Sequence, residues 1–377
     1  VRVGFVGLGK LGIEVAEAMA DYHDVVGYDI RPKATPLSGT LQEAAQGEFV
    51  FVAVQTPHSP LYEGIAPTSH LPPKDFDYGP LRCALTDIGK YVNPSQRVVV
   101  ISTCLPGVVP DLAKLVPCPL IYNPYFIAMG TVKRDFLNPE MMVIGTQHGD
   151  DPEGQELVNF YEGFVETQHY IRCRWDEAAC IKVFFNTFVS ARIALVNMIL
   201  DVSEKMGLDA GVICDAFTKS KKQKEGYWMP GMGDGGPCHP RDNNALRSLS
   251  ERLGLGYDIF GTVMTAREKQ AENLARRLVS FEMPVVILGK SFKPGTLLTD
   301  GSYSLLVGHY VEKMGHEVAY DQRSVLPRTY LLGHRGRFHD HPFAPGSVIV
   351  DPWGECPDVP LCHVHRYGRA SVPVGVA

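Results

Sequence analysis

Val3-Gly4-Phe5-Val6-Gly7-Leu8-Gly9-Lys10-Leu11-Gly12 decides the fold class of this chain. Four residues fit for a buried strand run into a glycine turn, and Ile13–Ala20 then carries a helical pattern. Gly7, Gly9 and Gly12 satisfy G-x-G-x-x-G in the strand–turn–helix setting that binds dinucleotides. The first glycine allows the turn, the second admits a pyrophosphate, and the third lets the helix close on the strand. Asp29 ends the second strand candidate. A carboxylate there accepts hydrogen bonds from a ribose 2′-hydroxyl and repels a 2′-phosphate, which favours NAD over NADP despite Arg31 nearby.

Working outward, β-rich runs alternate with helical stretches up to about residue 145. Strands are expected at Arg2–Val6, Val25–Tyr28, Phe49–Val54, Val98–Ser102, Leu120–Tyr122 and Met142–Ile144, the signature of a parallel sheet with crossovers. Pro57–Pro80 is rich in Pro, Ser, His and Tyr and reads as a long loop or lid. Asp176–Lys205 has few breakers and reads as one long helix with surplus apolar surface fit for a dimer face. Ala266–Phe281 reads as another helix. A second α/β unit starts at Pro284, with a strand and turn at Val285–Gly289, a helix at Leu305–Met314, and strands at Glu317–Tyr320 and Ser347–Val350. The polar tail from His363 reads as irregular.

A chain of 377 residues exceeds one ordinary core, so two or three domains are expected. A net charge of -6 gives no reason to expect nucleic acid or an anionic membrane surface. No apolar run is read as a membrane span, and no signal peptide is expected. The nine cysteines (83, 104, 118, 173, 180, 214, 238, 356 and 362) include no C-x-x-C pair, which suits free thiols in a reducing cytoplasm. His339, His341, Cys362, His363 and His365 lack a recognised ligand spacing, so no metal is expected.

Cys238 stands apart. It follows the loop Gly231-Met232-Gly233-Asp234-Gly235-Gly236-Pro237 and precedes His239-Pro240-Arg241-Asp242 at a helix start. A helix N-terminus stabilises a nearby anion, and the thiolate is the nucleophilic form of cysteine. A nicotinamide cofactor and a nucleophilic cysteine together suggest an alcohol carried past the aldehyde, through a thioester, to an acid. Lys182 and Asn186 lie four apart on the long helix and share a face, as Cys238 and Asp242 do on theirs.

In order, the glycine turn, Val52-Ala53-Val54-Gln55-Thr56-Pro57, Ser102-Thr103-Cys104-Leu105-Pro106-Gly107, Asn123-Pro124, Ile181-Lys182 with Asn186, and Gly235–Asp242 resemble the UDP-glucose/GDP-mannose dehydrogenase family. Gly289-Lys290-Ser291-Phe292-Lys293-Pro294 resembles its later phosphate-proximal element. The resemblance covers nearly the whole chain. It implies an α/β protein with two Rossmann-like doubly wound domains joined by a helical domain with a long central helix. The divisions are 1–172 for NAD, 173–283 for the helical, dimerising part, and 284–377 for the nucleotide of the sugar. The family's reaction oxidises the C6 alcohol of a nucleotide sugar to the uronic acid through aldehyde and thioester. By resemblance, Lys182 and Asn186 hold the oxyanion, Thr103 and Asp242 hold the water that takes the alcohol proton, and Cys238 attacks the aldehyde. Lys10, Leu11, Thr56 and Thr103 join Gly7, Gly9, Gly12 and Asp29 around NAD. Phe126, Gly235 and Lys293 join Lys182 and Asn186 around the substrate, and a homodimer is implied.

The family element Asn-Pro-Glu-Phe-x-x-Glu-Gly reads Asn123-Pro124-Tyr125-Phe126-Ile127-Ala128-Met129-Gly130 here, so both carboxylates are missing. Tyr125 is expected in the place of the acid/base, but a phenol with an ordinary pKa of about 10 is a poor base at neutral pH. Asp234 replaces an aromatic residue, and Asp300 stands where an arginine is usual. Two alternatives stay open: an enzyme that stops after one hydride at an aldehyde or ketone, and a protein that binds NAD and nucleotide without turnover.

Overall fold

The computed structural model describes residues 1–219, 230–233, 236–256, 258–336, 339 and 341–369. Its contacts form two compact units, Val1–His58 with Asp75–Phe185, and Ser59–Lys74 with Asn186–Ala377.

In the first unit the order is β1 (Arg2–Val6), α1 (Gly12–Ala20), β2 (Asp24–Tyr28), α2 (Leu41–Ala44), β3 (Phe49–Val52), α3 (Gly79–Ile88), β4 (Arg97–Val100), α4 (Val109–Ala113), β5 (Leu120–Tyr122), α5 (Val132–Leu137), β6 (Met142–Thr146), α6 (Pro152–Glu162) and β7 (Tyr170–Arg174). The sheet runs β2-β1-β3-β4-β5-β6-β7, and its pairings are parallel except β5 with β6. The order reverses between β1 and β3, where an open α/β sheet places its ligand crevice. Val50 and Val98–Val100 are fully buried, as strands covered on both faces require. Phe5, Phe51, Phe136, Phe160, Tyr161 and Phe164 fill the core on one side.

Helix α7 (Trp175–Met206) leads from the first unit into the second. One 18-residue window of it has a mean hydropathy of 1.7 and, by length and composition only, could cross a membrane; 39% of that window is buried. The expectation that nothing in the chain approaches a span is corrected here. Asn186, Thr187 and Ser190 interrupt the apolar run in sequence, which hides its high average.

The second unit continues with α8 (Ala210–Thr218), α9 (Cys238–Arg252), α10 (Ile259–Val279), β8 (Val285–Leu288), α11 (Tyr303–Lys313), β9 (Val318–Tyr320), β10 (Thr329–Leu332), β11 (Val348–Asp351) and β12 (His363–Arg366). Its five-stranded sheet runs β12-β11-β10-β8-β9, all parallel. Helix α10 packs on α9 and on α11. The helices read as a central domain and the sheet read as a third domain therefore share one contact unit. The expected boundary after residue 172 falls inside β7. Strands β7, β10 and β12 were not foreseen. Of the tail read as irregular from His363, His363–Arg366 instead pair with β11, their side chains half-buried or exposed as on a sheet edge, and 370–377 lie outside the described residues.

Glu204 ties α7 to that edge. Its carboxylate is hydrogen-bonded to His365 Nε2 at 3.0 Å, to the Gly368 N–H at 2.7 Å and to Arg277 Nη2 at 2.5 Å. Burial pushes its pKa up, but these partners prevail and hold it at about 2. A depressed carboxylate contributes stability that is complete above its unfolded pKa and lost as pH falls through the folded one. In urea melts, the stability gap between wild type and Glu204→Gln should be widest above pH 5 and close as pH falls from about 4.5 toward 2. A gap constant across that range would contradict the tie.

Candidate active site

The glycine turn behaves as its sequence requires. Gly7 has φ +103°, and a Cβ there would lie 2.7 Å from the Ala53 backbone. A Cβ at Gly12 would lie 1.9 Å from the Gly7 carbonyl oxygen, so the helix closes on the strand only because the residue is glycine. A Cβ at Gly9 would meet nothing within 4 Å, so this side of the turn is open. Lys10 and Leu11 complete the turn before α1. Asp29 follows β2, accepts the Arg31 N–H at 2.8 Å and lines a groove of about 810 Å³ with Ile30, Lys33, Ser38 and Thr40. Thr56 Oγ1 donates to the Thr103 carbonyl at 2.9 Å, and Ser102 Oγ to the Val54 carbonyl at 2.5 Å, joining the segments after β3 and β4. An open second glycine, and a carboxylate just past β2 that lines a groove, fit a dinucleotide.

Lys182 and Asn186 lie one turn apart on α7. Lys182 Nζ donates to the Tyr125 carbonyl at 2.7 Å and lies 4.9 Å from the centre of the Phe126 ring. Tyr125 corrects the sequence reading. Its side chain is 6% exposed in the first unit's core, 5.4 Å from the Phe136 ring. Its hydroxyl shares a 2.9 Å hydrogen bond with that of Tyr161, which donates to Asn123 Oδ1 at 2.6 Å. Burial pushes the Tyr125 phenol above its ordinary range. A phenol committed inside the core is not the acid/base expected at this position. What the residue presents to Lys182 is its backbone oxygen.

In the second unit, Cys238 is the first residue of α9, at the helix start where the sequence placed it, and is half-buried. Asp242, one turn on, is fully buried; it accepts Asn186 Nδ2 at 2.7 Å and Arg241 Nε at 2.9 Å. Beyond it, Thr187 Oγ1 bonds to Asn243 Oδ1 at 3.2 Å and Ser190 Oγ to His239 Nδ1 at 2.7 Å, so a polar seam joins α7 to α9. The Phe292 ring lies against Gly236, where a Cβ would meet it at 2.6 Å, bringing the Lys293 element beside the cysteine loop. Lys293 Nζ itself lies 5.6 Å from the centre of that ring. Gly235 and Asp234 lie outside the described residues. A groove of about 340 Å³ opens at the carboxyl ends of β8 to β10, lined by Gly289, Lys290, Asp321 and His334. Of the other cysteines, burial pushes up the thiols of Cys104, Cys118, Cys173, Cys180, Cys214 and Cys356, those of Cys173 and Cys356 to about 11. Among the described residues no group of three or more His, Cys, Asp or Glu could hold a metal.

Sequence reasoning missed Arg267 and Glu268 of α10, 3% and 4% exposed. Glu268 accepts the Thr68 and Ser69 N–H groups at 2.6 and 2.7 Å, and Arg267 Nη1 donates to the Gly64 carbonyl at 2.9 Å. The expected loop at 57–80 is therefore, over Ser59–Lys74, a strap bound to the second unit. No local pattern signals this, because its partners lie about 200 residues away.

The NAD binding domain of the UDP-glucose/GDP-mannose dehydrogenase family matches residues 34–165, and its central domain matches 176–269, together more than half of the chain. The chain belongs to the UDP-glucose/GDP-mannose dehydrogenase family. It is an NAD-dependent oxidoreductase of nucleotide sugars. The UDP-glucose 6-dehydrogenase TuaD of Bacillus subtilis is 24% identical over 84% of this chain and 69% of its own length. The UDP-glucose 6-dehydrogenase AglM of Haloferax volcanii is 24% identical over 78% and 77%. In fold, the chain is similar to a UDP-glucose dehydrogenase of Pyrobaculum islandicum, with TM-score 0.80, 20% identity and 98% and 97% coverage. It is also similar to a UDP-D-ManNAc dehydrogenase of Pyrococcus horikoshii, with TM-score 0.78, 20% identity and 99% and 100% coverage.

Two substitutions separate the roles of this family's glycine turn here. Gly12→Ala should lower stability by more than about 1 kcal/mol, since backbone must shift. Gly9→Ala should leave the urea midpoint unchanged and weaken NAD binding in calorimetry. Equal effects of both on stability would contradict this division. Asn186→Ala leaves the buried Asp242 carboxylate short of a donor and should cost about 1–3 kcal/mol. An Asn186→Ala urea midpoint equal to wild type would show that the seam is not structural.

Proposed function

We propose that the chain oxidises the C6 alcohol of a UDP-glucose-like nucleotide sugar to the uronic acid in two steps, with Cys238 as the nucleophile between them. The observation that carries this reading is the seating of Cys238 on the first turn of α9, one turn before Asp242, which is bonded to Asn186. The activity of the relatives, UDP-glucose 6-dehydrogenases, and the motif order support the substrate class.

Bound at the glycine turn, NAD supplies the hydride acceptor. Lys182 and Asn186 stabilise the oxygen on C6. Lys182 also donates to the Tyr125 carbonyl and Asn186 to Asp242, contacts that hold the two side chains one turn apart on α7. Loss of one such donor typically lowers kcat by about 100-fold or more. Thr103 and Asp242 hold the water that receives the alcohol proton. Cys238 Sγ then adds to the aldehyde carbon, forming a C–S bond while the carbonyl oxygen takes a proton. Oxidation of that thiohemiacetal, its hydride passing to a second NAD that would take the first NADH's place, gives the thioester. Water adds to its carbon, the C–S bond breaks, and the thiol is restored as the acid leaves. Phe126, Gly235 and Lys293 complete the sugar and phosphate contacts.

We read the functional protein as a cytoplasmic homodimer without nucleic-acid or membrane partners. Phe188, Leu195, Met198, Val202 and Met206 are exposed at helical spacing on α7. A partner copy suits this surface better than lipid does, because Asn186, Thr187 and Ser190 of the same helix are hydrogen-bonded to α9.

One observation favours a second reading, in which the reaction stops at the aldehyde. No carboxylate stands at position 125, and the phenol there is buried. The yield of NADH from limiting UDP-glucose with excess NAD decides between them. We expect two equivalents for wild type and one for Cys238→Ala. One equivalent from both would end the thioester reading, and none would point to a different nucleotide sugar.

A further inference from the structure

We propose that Arg267 is a positioning residue for Cys238, its guanidinium holding the two glycine turns that clasp the start of α9. The proposal rests on the reading of Cys238 as nucleophile. All the contacts lie within the second unit. Arg267 Nη1 donates to the Gly64 carbonyl at 2.9 Å and Nη2 to the Gly301 carbonyl at 3.4 Å. The guanidinium also lies 5.5 Å from the centre of the Tyr303 ring, whose hydroxyl donates back to the Arg267 carbonyl at 3.2 Å.

The two turns so joined touch α9 on either side of the cysteine. A Cβ at Gly64 would strike the Pro240 ring at 2.8 Å, and one at Gly301 would lie 2.5 Å from Pro237 Cα. Both glycines have positive φ, +75° and +68°, so each turn adopts a backbone that other residues rarely take and approaches closer than a side chain allows. Residues 237 and 240 bracket Cys238. A buried guanidinium is stable only where its donors are satisfied, and this one is anchored to backbone on both sides of the nucleophile. Glu268, the next residue, fixes the strap again at Thr68 and Ser69, and Arg247 Nη1 donates to the Ser69 and Leu71 carbonyls, each at 3.2 Å. The strap is thus pinned by three charged side chains of α9 and α10, and one of them also reaches the Gly301 turn. Lysine in place of Arg267 keeps the charge but not the fork that reaches two carbonyls.

Cysteine acts only after the first oxidation, so displacement of Cys238 should separate the two halves of the reaction. Arg267→Lys is compared with wild type, as full-length protein with limiting UDP-glucose and excess NAD. NADH yield is followed alongside aldehyde captured by an aminooxy reagent. In the variant, acid formation should fall about tenfold more than the first oxidation, captured aldehyde should appear, and the yield should drop from two equivalents toward one. Gly64→Ala keeps the guanidinium, forces the strap off Pro240 and should give the same pattern; it carries the test if Arg267→Lys does not fold. Folded variants in which both oxidations slow in proportion and the yield stays at two overturn the positioning role while leaving the thioester reading intact. A wild type that yields one equivalent overturns that reading and this proposal together.

Discussion

A fully buried carboxylate, Asp242, bonded to Asn186 of the long helix and to its own neighbour Arg241, sets the geometry on which the second unit's site depends. A buried carboxylate is stable only where donors face it. Meeting that requirement fixes α9 against α7, and Cys238 is the first residue of α9. The same bond orients the Asn186 amide one turn beyond Lys182. A single electrostatic requirement therefore sets the register of Asn186 and Cys238 within the second unit.

Much of this was legible in the chain. The glycine turn names its fold because each glycine answers a separate steric demand, and the structure shows all three: a positive φ at Gly7, an open side at Gly9 and a carbonyl 1.9 Å from where a Cβ would stand at Gly12. The helix start at Cys238 was legible because a glycine-rich loop and two prolines punctuate it locally. Tyr125 was misread for a reason that sequence does not carry. Residue type gives a hydroxyl, but only the packing of Phe136 and Tyr161 shows that it points inward. The strap escaped notice likewise, since its backbone is satisfied by side chains from α9 and α10. The edge strand β12 is short and polar, and its pairing is dictated by β11.

The absence of a carboxylate at position 125 gives the chemistry an asymmetry. Lys182, Asn186 and Cys238, the residues proposed as oxyanion donors and nucleophile, are present in the sequence, while no carboxylate stands at position 125. Hydrolysis should then be the slow step, and the covalent enzyme should accumulate in turnover.

That accumulation offers the most direct test. The enzyme is quenched in acid during steady turnover with UDP-glucose and NAD, digested, and the peptides weighed by mass spectrometry. The account predicts a uronyl adduct on the peptide carrying Cys238 and on no other cysteine peptide. Turnover to acid with Cys238 unmodified throughout, or an adduct on another cysteine, would contradict it.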